Sequence, residues 1–225
     1  MTPDLVPLLQ GTPGLRVQIN DLLGADGGML FNTLHPPFDN PAIKQADFMT
    51  GDIARARAAL VAAGYKGERV VVMQVGDYAT LGALAEIGAD TLRRIGMNVD
   101  VQVVDYGTMA QRRGNKKPPD KGGWSVYFAW YSGMNRFDPA SHLTARGDGS
   151  YYGWANVPRL RALRDAWFDA GDLAAQQAVA RDIQITMLEV VPFIPLGEYF
   201  SSAATRTALG AVGRGIPLFY NIKKG

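Results

Sequence analysis

Val70-Val71-Val72-Met73-Gln74-Val75, then Thr80 to Ile95, then Val99-Asp100-Val101-Gln102-Val103 is the stretch that decides the fold. The first run is apolar and β-branched with one polar member, the pattern of a strand buried on both faces. Between Thr80 and Ile95, the apolar residues Leu81, Leu84, Ile87, Leu92 and Ile95 recur at helical spacing, and Gly96 supplies a stop. Val99, Val101 and Val103 alternate with Asp100 and Gln102, which predicts a second strand. A β-α-β unit of this length closes by a right-handed crossover and makes a parallel pair, so the class is α/β.

Working outward, Asp52 is placed to cap a helix from Ile53 to Ala63, with Gly64 after it. The aromatic run Trp124 to Trp130, between Gly123 and Gly133, predicts a third core strand. Two helices follow, Pro158 to Phe168 with proline in its first turn and Leu173 to Glu189 capped by Asp172. Upstream, Leu15 to Ile19 and Met29 to Asn32 read as short strands, with Gly24, Gly27 and Gly28 as a turn between them and His35-Pro36-Pro37 as a stop. Two short strands bury no core of their own and require a larger sheet. The chain beyond Pro195, through Ile216-Pro217-Leu218-Phe219-Tyr220, reads as strand and loop.

Composition narrows the function. The chain has 225 residues, 47% hydrophobic, a net charge of +2 and no cysteine. That is enough for one large domain or one domain plus an appendage. Acids and bases are interspersed, so no nucleic-acid stripe is expected. The basic group Arg112, Arg113, Lys116, Lys117, beside Pro118, Pro119, Gly122 and Gly123, reads as a solvated loop. The absence of cysteine excludes disulfides, thiol catalysis and cysteine-bound zinc. No apolar run is long enough to span a bilayer, and Met1-Thr2-Pro3-Asp4 does not open a secretory signal.

Catalytic and metal constellations are poor. His35 and His142 fall on separate loops, and there is no His-Glu-x-x-His, Gly-x-Ser-x-Gly or phosphate-cradling glycine loop. No catalytic residue, metal ligand or cofactor is expected, and the chain is read as not an enzyme. The aromatic residues are more telling. Trp130 and Tyr131 close the third strand and precede a loop with Gly133, Asn135, Arg136 and Asp138; Tyr78 follows the first strand. In open α/β sheets, ligands bind beyond the carboxyl ends of the strands. Trp130, Tyr131, Asn135 and Tyr78 are therefore the candidate ligand-binding residues. For Trp130 a core role stands beside the cleft role, as it does for Tyr78.

A series of motifs carries a family resemblance. Leu30-Phe31-Asn32 through Pro36-Pro37-Phe38-Asp39-Asn40-Pro41-Ala42-Ile43-Lys44-Gln45-Ala46 resembles the FN…PPF.N..VRQA stretch of ABC-importer solute-binding proteins of the peptide- and nickel-binding class (extracellular solute-binding protein family 5). Asp52 through Tyr65 is similar to its D..KAK.LL.EAGY helix, and Leu92 to Val99 to its LK.IGI.V passage. Trp130 through Pro139 sits where the class has a W…D..DP loop, and Val191-Pro192-Phe193-Ile194-Pro195-Leu196 resembles its VP.IPL strand. The order is that of the family along nearly the whole chain.

The resemblance implies a periplasmic-binding-protein-like lobe: a central, mostly parallel sheet flanked by helices, plus terminal strands belonging to the other lobe. It divides the chain into 1–46, a remnant of the first lobe, 47–192, the α/β second lobe, and 193–225, a return segment to the first lobe. It implies a C-terminal portion of such a protein, lacking the N-terminal lobe. It implies a periplasmic location, a small-molecule or peptide solute, ABC permease subunits as partners, and self-association through the face left bare by the missing lobe. The alternatives are a stand-alone α/β enzyme and a protein-interaction module. Two departures stand out. The family has several tens of residues between its RQA and D..KAK elements, where Ala46 is here followed almost at once by Asp52. It also often has an Asp shortly after the loop Trp, pairing with a peptide's α-ammonium, where this chain has Gly133-Met134.

Overall fold

The structure, a computed structural model, describes residues 3–19, 22–46, 51–210 and 222–224. Its first elements are helix α1 (Val6–Gln10), strand β1 (Leu15–Ile19), strand β2 (Ala25–Phe31) and helix α2 (Pro41–Lys44). Helix α3 (Ile53–Ala62), strand β3 (Arg69–Val75), helix α4 (Ala79–Arg94), strand β4 (Asn98–Val104) and helix α5 (Tyr106–Arg112) follow. Strand β5 (Val126–Ser132), helices α6 (Pro158–Asp169) and α7 (Leu173–Val190), and strands β6 (Phe193–Tyr199) and β7 (Ser202–Arg206) complete the main course. Leu209–Gly210 and Lys223–Lys224 form a last short pair, β8 and β9.

The central sheet has five strands in the order β4-β3-β5-β2-β6. The β3-α4-β4 unit makes the parallel pair expected from its sequence, and β5 joins β3 parallel. The helix caps fall where the sequence sets them. Asp52 accepts from the Arg55 amide at the start of α3, and Asp172 from the Ala175 amide at the start of α7. The core is continuous across β2, β3, β5 and α4; Trp124, Tyr127, Phe31, Phe38 and Phe128 are its largest fully buried members. A satellite core of Ala145, Leu160 and Ile183 joins α6 to α7.

Several expectations are corrected. The sheet is mixed, not mostly parallel: β2 runs antiparallel to both β5 and β6. Gly27 and Gly28 are not a turn but lie inside β2. Their bareness answers to packing, since a Cβ at Gly27 would lie 3.2 Å from Leu84 and one at Gly28 3.3 Å from the Phe193 ring. The third core strand is Val126–Ser132, with Trp124 buried just before it. The basic group is not simply a solvated loop, because Arg112 ends α5 and donates to the Gly122 and Gly123 carbonyls. The terminal segments meet twice, β1 with β7 and β2 with β6. Because β2 and β6 are members of the central sheet, the boundaries drawn at residues 46 and 193 separate hydrogen-bonded neighbours. The stretch Ile216 to Tyr220 lies outside the described residues.

Candidate functional site

Parallel strands end on one edge. The carboxyl ends of β3, β4 and β5 therefore bring together Gly76-Asp77-Tyr78, Asp105-Tyr106 and the turn after Ser132. Tyr78, 37% exposed, stands at the start of α4, its ring 6.1 Å from that of Tyr106. The Tyr106 amide donates to Asp77 Oδ1 at 2.8 Å, which ties the two strand exits. An open hollow of about 470 Å³ lies here, walled by Gly76, Asp77, Val103, Val104, Asp105 and Thr108. Hydrogen bonds from Thr108 hold the Asp105 carboxyl below the usual carboxylate range, so it is charged at neutral pH.

Strand alternation separates the other two aromatics. Trp130 faces Gly27 across β2, on the side where α4 lies, and is 39% exposed. Tyr131 faces Asp26 on the opposite side and is 8% exposed. The four candidates therefore do not share one surface. Trp130, Tyr78 and Asn135 are exposed at the strand-end edge, Asn135 on the single turn Gly133–Arg136. Tyr131 is inside, its hydroxyl 3.2 Å from that of Tyr151. Burial pushes the Tyr127 and Tyr131 hydroxyls far above their ordinary range, so both stay neutral.

Beneath the turn sits a polar cluster that no short sequence pattern announces. The Arg136 guanidinium lies between two rings, 4.1 Å from the centroid of Tyr131 and 4.4 Å from that of Phe193. Its Nε is 2.6 Å from Asp26 Oδ2, an ion pair not aligned as a straight hydrogen bond, and its Nη1 donates to Thr144 Oγ1 at 2.7 Å. Nη1 also lies 3.1 Å from His142 Nε2. Burial, reinforced by the neighbouring Arg136 charge, lowers the His142 pKa to about 4, so the ring is a neutral acceptor. Burial raises the Asp26 pKa and Arg136 opposes it. Asp26 and Phe193 are far in sequence from Arg136 and His142, whereas Tyr106 could have been found by the rule that found Tyr78, since it too follows a strand.

A second concavity, about 340 Å³, opens between α4 and β6 and is walled by apolar residues including Leu84, Ile87, Ile194 and Leu196. Among the described residues no cluster of histidine and carboxylate groups could hold a metal, and no helix is long and apolar enough to cross a membrane.

No family model matches the chain. It is 27% identical, over 266 residues and 98% of its length, to a probable peptide ABC transporter periplasmic-binding protein of Sinorhizobium fredii. It spans only 50% of that relative, about half its length. The alignment is longer than the 225 residues of the chain, so the relative carries stretches with no counterpart here. Among solved structures, a dipeptide-binding protein from Pseudoalteromonas sp. SM9913 in complex with Met-Leu superposes with a TM-score of 0.73 at 17% identity. That match covers 100% of this chain and 53% of the other. NikA from Staphylococcus aureus in complex with Ni(L-His)2 gives 0.79 at 12% identity, covering 99% of this chain and 56% of that one. By sequence the chain is related to a periplasmic-binding protein of a peptide ABC transporter, and its fold is that of the peptide- and nickel-binding solute-binding proteins.

Proposed function

We propose that this chain is the solute-capturing part of a periplasmic binding protein that delivers a small solute or peptide to the permease subunits of an ABC importer. The observation that carries the reading is the strand-end edge, where Tyr78, Tyr106, Trp130 and Asn135 stand exposed on a fold shared with solute-binding proteins. Rigid aromatic plates supply contact area at low entropic cost, and Asn135 both donates and accepts. Tyr131 acts from below, as packing for the turn. In this reading β1, β7 and the β8–β9 pair, which lie outside the central sheet, belong with the other lobe, and closure of the two lobes around the solute makes the contacts that retain it. The carboxylates at this edge are Asp77 and Asp105, while Gly133-Met134 offers none after the loop tryptophan, so a solute with a positive group near β3 and β4 fits best.

The test is solute titration of the complete product of the reading frame, followed by tryptophan fluorescence, with Trp130→Ala beside the wild type. Loss of affinity by about tenfold or more with an unchanged melting temperature is expected for a cleft aromatic. Unchanged affinity rules the cleft role out, and lost stability with unchanged affinity identifies Trp130 as a core residue.

A second reading, association of two chains, is favoured by the apolar groove between α4 and β6, where Ile87 is 67% and Leu196 40% exposed. Sedimentation velocity tests it: a dimer abolished by Ile87→Lys supports it, and a monomer at all concentrations excludes it.

A further inference from the structure

The loop from α5 to β5 carries three lysines, Lys116, Lys117 and Lys121, all exposed and none in an ion pair among the described residues. Asp120 is the one acid on the loop. The backbone beneath the lysines is braced. The Arg112 guanidinium donates to the Gly122 and Gly123 carbonyls at 3.0 and 2.7 Å. Asn115 donates to the Gly122 carbonyl and accepts from the Lys117 amide. The Gly123 amide bonds the Pro118 carbonyl, and a Cβ at Gly123 would lie 1.8 Å from the Lys117 carbonyl oxygen. The Lys116 ammonium stands 5.7 Å from the centroid of the Trp154 ring. Like charges held on a braced loop repel one another, a cost that an anionic partner relieves.

An apolar group is fixed beside them. His35 Nε2 donates to the Lys116 carbonyl at 2.8 Å, which joins the segment after β2 to the lysine loop. Leu34, 41% exposed, is held there by the bond from its amide to Asn32 Oδ1, and Asn32 in turn donates to the Trp124 carbonyl. Pro36, also exposed, follows. An exposed leucine beside a group of lysines has the composition of surfaces that rest on anionic lipid: the apolar side chain enters the headgroup layer and the ammonium groups meet phosphates. Lysine, a point charge on a flexible stem, suits the mobile phosphates of a bilayer, whereas the fixed carboxylates of a folded acidic protein suit the planar fork of arginine.

We propose that Leu34, with Lys116, Lys117 and Lys121, forms a docking surface for an anionic lipid bilayer. Phe31 pairs with Val126, so both segments lie at the amino end of β5, whose seven residues put them about 20 Å from the turn after Ser132. Asp77 and Asp105 lie at the other edge of the sheet, beyond the carboxyl ends of β3 and β4. A negative bilayer attracts the lysine end and repels the carboxylate end, so the docked chain turns its strand-end edge away from the lipid. The docking surface is independent of the solute-binding reading and leaves the residues of that reading uncovered.

Cosedimentation of the complete product of the reading frame with lipid vesicles, with no solute present, tests it. Vesicles of phosphatidylcholine mixed with phosphatidylglycerol are expected to retain the protein and pure phosphatidylcholine vesicles to leave it in solution, with the bound fraction falling as salt is raised. Lys116→Gln, Lys117→Gln and Lys121→Gln are each expected to weaken binding about fivefold, and the three together to abolish it. Leu34→Ser should weaken binding while leaving its salt dependence as it is, because only the apolar contribution is removed. The lysine side chains are exposed, so their variants should keep the wild-type melting temperature. Should Leu34→Ser fail to fold, the lysine variants and the two vesicle compositions carry the test. No retention by the mixed vesicles, or equal retention of the triple lysine variant, overturns the inference. So does binding to soluble polyglutamate as tight as to the mixed vesicles, with Leu34→Ser without effect, which assigns the lysines to an acidic protein. Because no solute enters the experiment, its failure leaves the solute reading standing, and a protein that binds no solute leaves the docking surface standing.

Discussion

At the scale of single residues, the buried His142 has a measurable consequence. Its pKa is lowered to about 4 from an ordinary value of 6.5. The unfolded chain therefore takes a proton at higher pH than the native one, and native stability falls as pH drops from about 6.5 through 4. A depression of this size corresponds to roughly 3 kcal/mol, fully lost only below the native pKa. Asp26 works in the opposite sense: with its pKa raised above 3.8, the native state takes up that proton first and is favoured as pH falls toward it. The histidine effect is thus cleanest in the upper part of the window. Urea denaturation at a series of pH values should show a slope in the wild type that flattens in His142→Gln; an unchanged slope assigns the acid sensitivity to another group. At this scale the sequence is only partly legible. Tyr78 and Trp130 can be picked out as residues at strand exits, but Tyr131 cannot be assigned a side until the register of β5 against β2 fixes which face it takes. Arg136 gives no signal, because its partners Asp26 and Phe193 come from distant strands.

Elements are more legible, for a physical reason. Caps and stops are local chemistry, so Asp52 and Asp172 mark helix starts regardless of the rest of the fold. Replacing Asp172 by Ala should cost about 1 kcal/mol through loss of the bond to the Ala175 amide, measured as a shift of the urea midpoint. No shift would mean that water replaces the cap at no loss. Glycines in strands are the opposite case, because what they make room for is remote. Gly27 and Gly28 read as a turn since nothing nearby in sequence announces Leu84 or Phe193. Gly88 in α4 belongs to the same kind: a Cβ there would lie within 2.2 Å of the Phe128 ring. Gly88→Ala gains about 1 kcal/mol of helix propensity but overpacks the core at a cost of about 1–3 kcal/mol, so the balance is destabilising. A variant as stable as the wild type would show that Phe128 has room to withdraw.

For the whole molecule, the β3-α4-β4 unit is enough to set the class, and the ordered motifs are enough to set the relationship. Neither reveals that β2 and β6 complete the same sheet, since their pairing joins residues about 165 positions apart and depends on register. That pairing completes the sheet whose strand-end edge carries Tyr78, Tyr106, Trp130 and Asn135, and leaves β1 and β7 outside it. The central claim, that this surface captures a solute, is tested most directly by equilibrium dialysis of the complete product of the reading frame against a mixture of di- and tripeptides and small amines, with retained species identified by mass spectrometry. The account predicts retention of a positively charged solute by the wild type and its loss from Trp130→Ala and from the double variant Asp77→Asn, Asp105→Asn. Retention of nothing from the mixture, or equal retention by the variants, would contradict it.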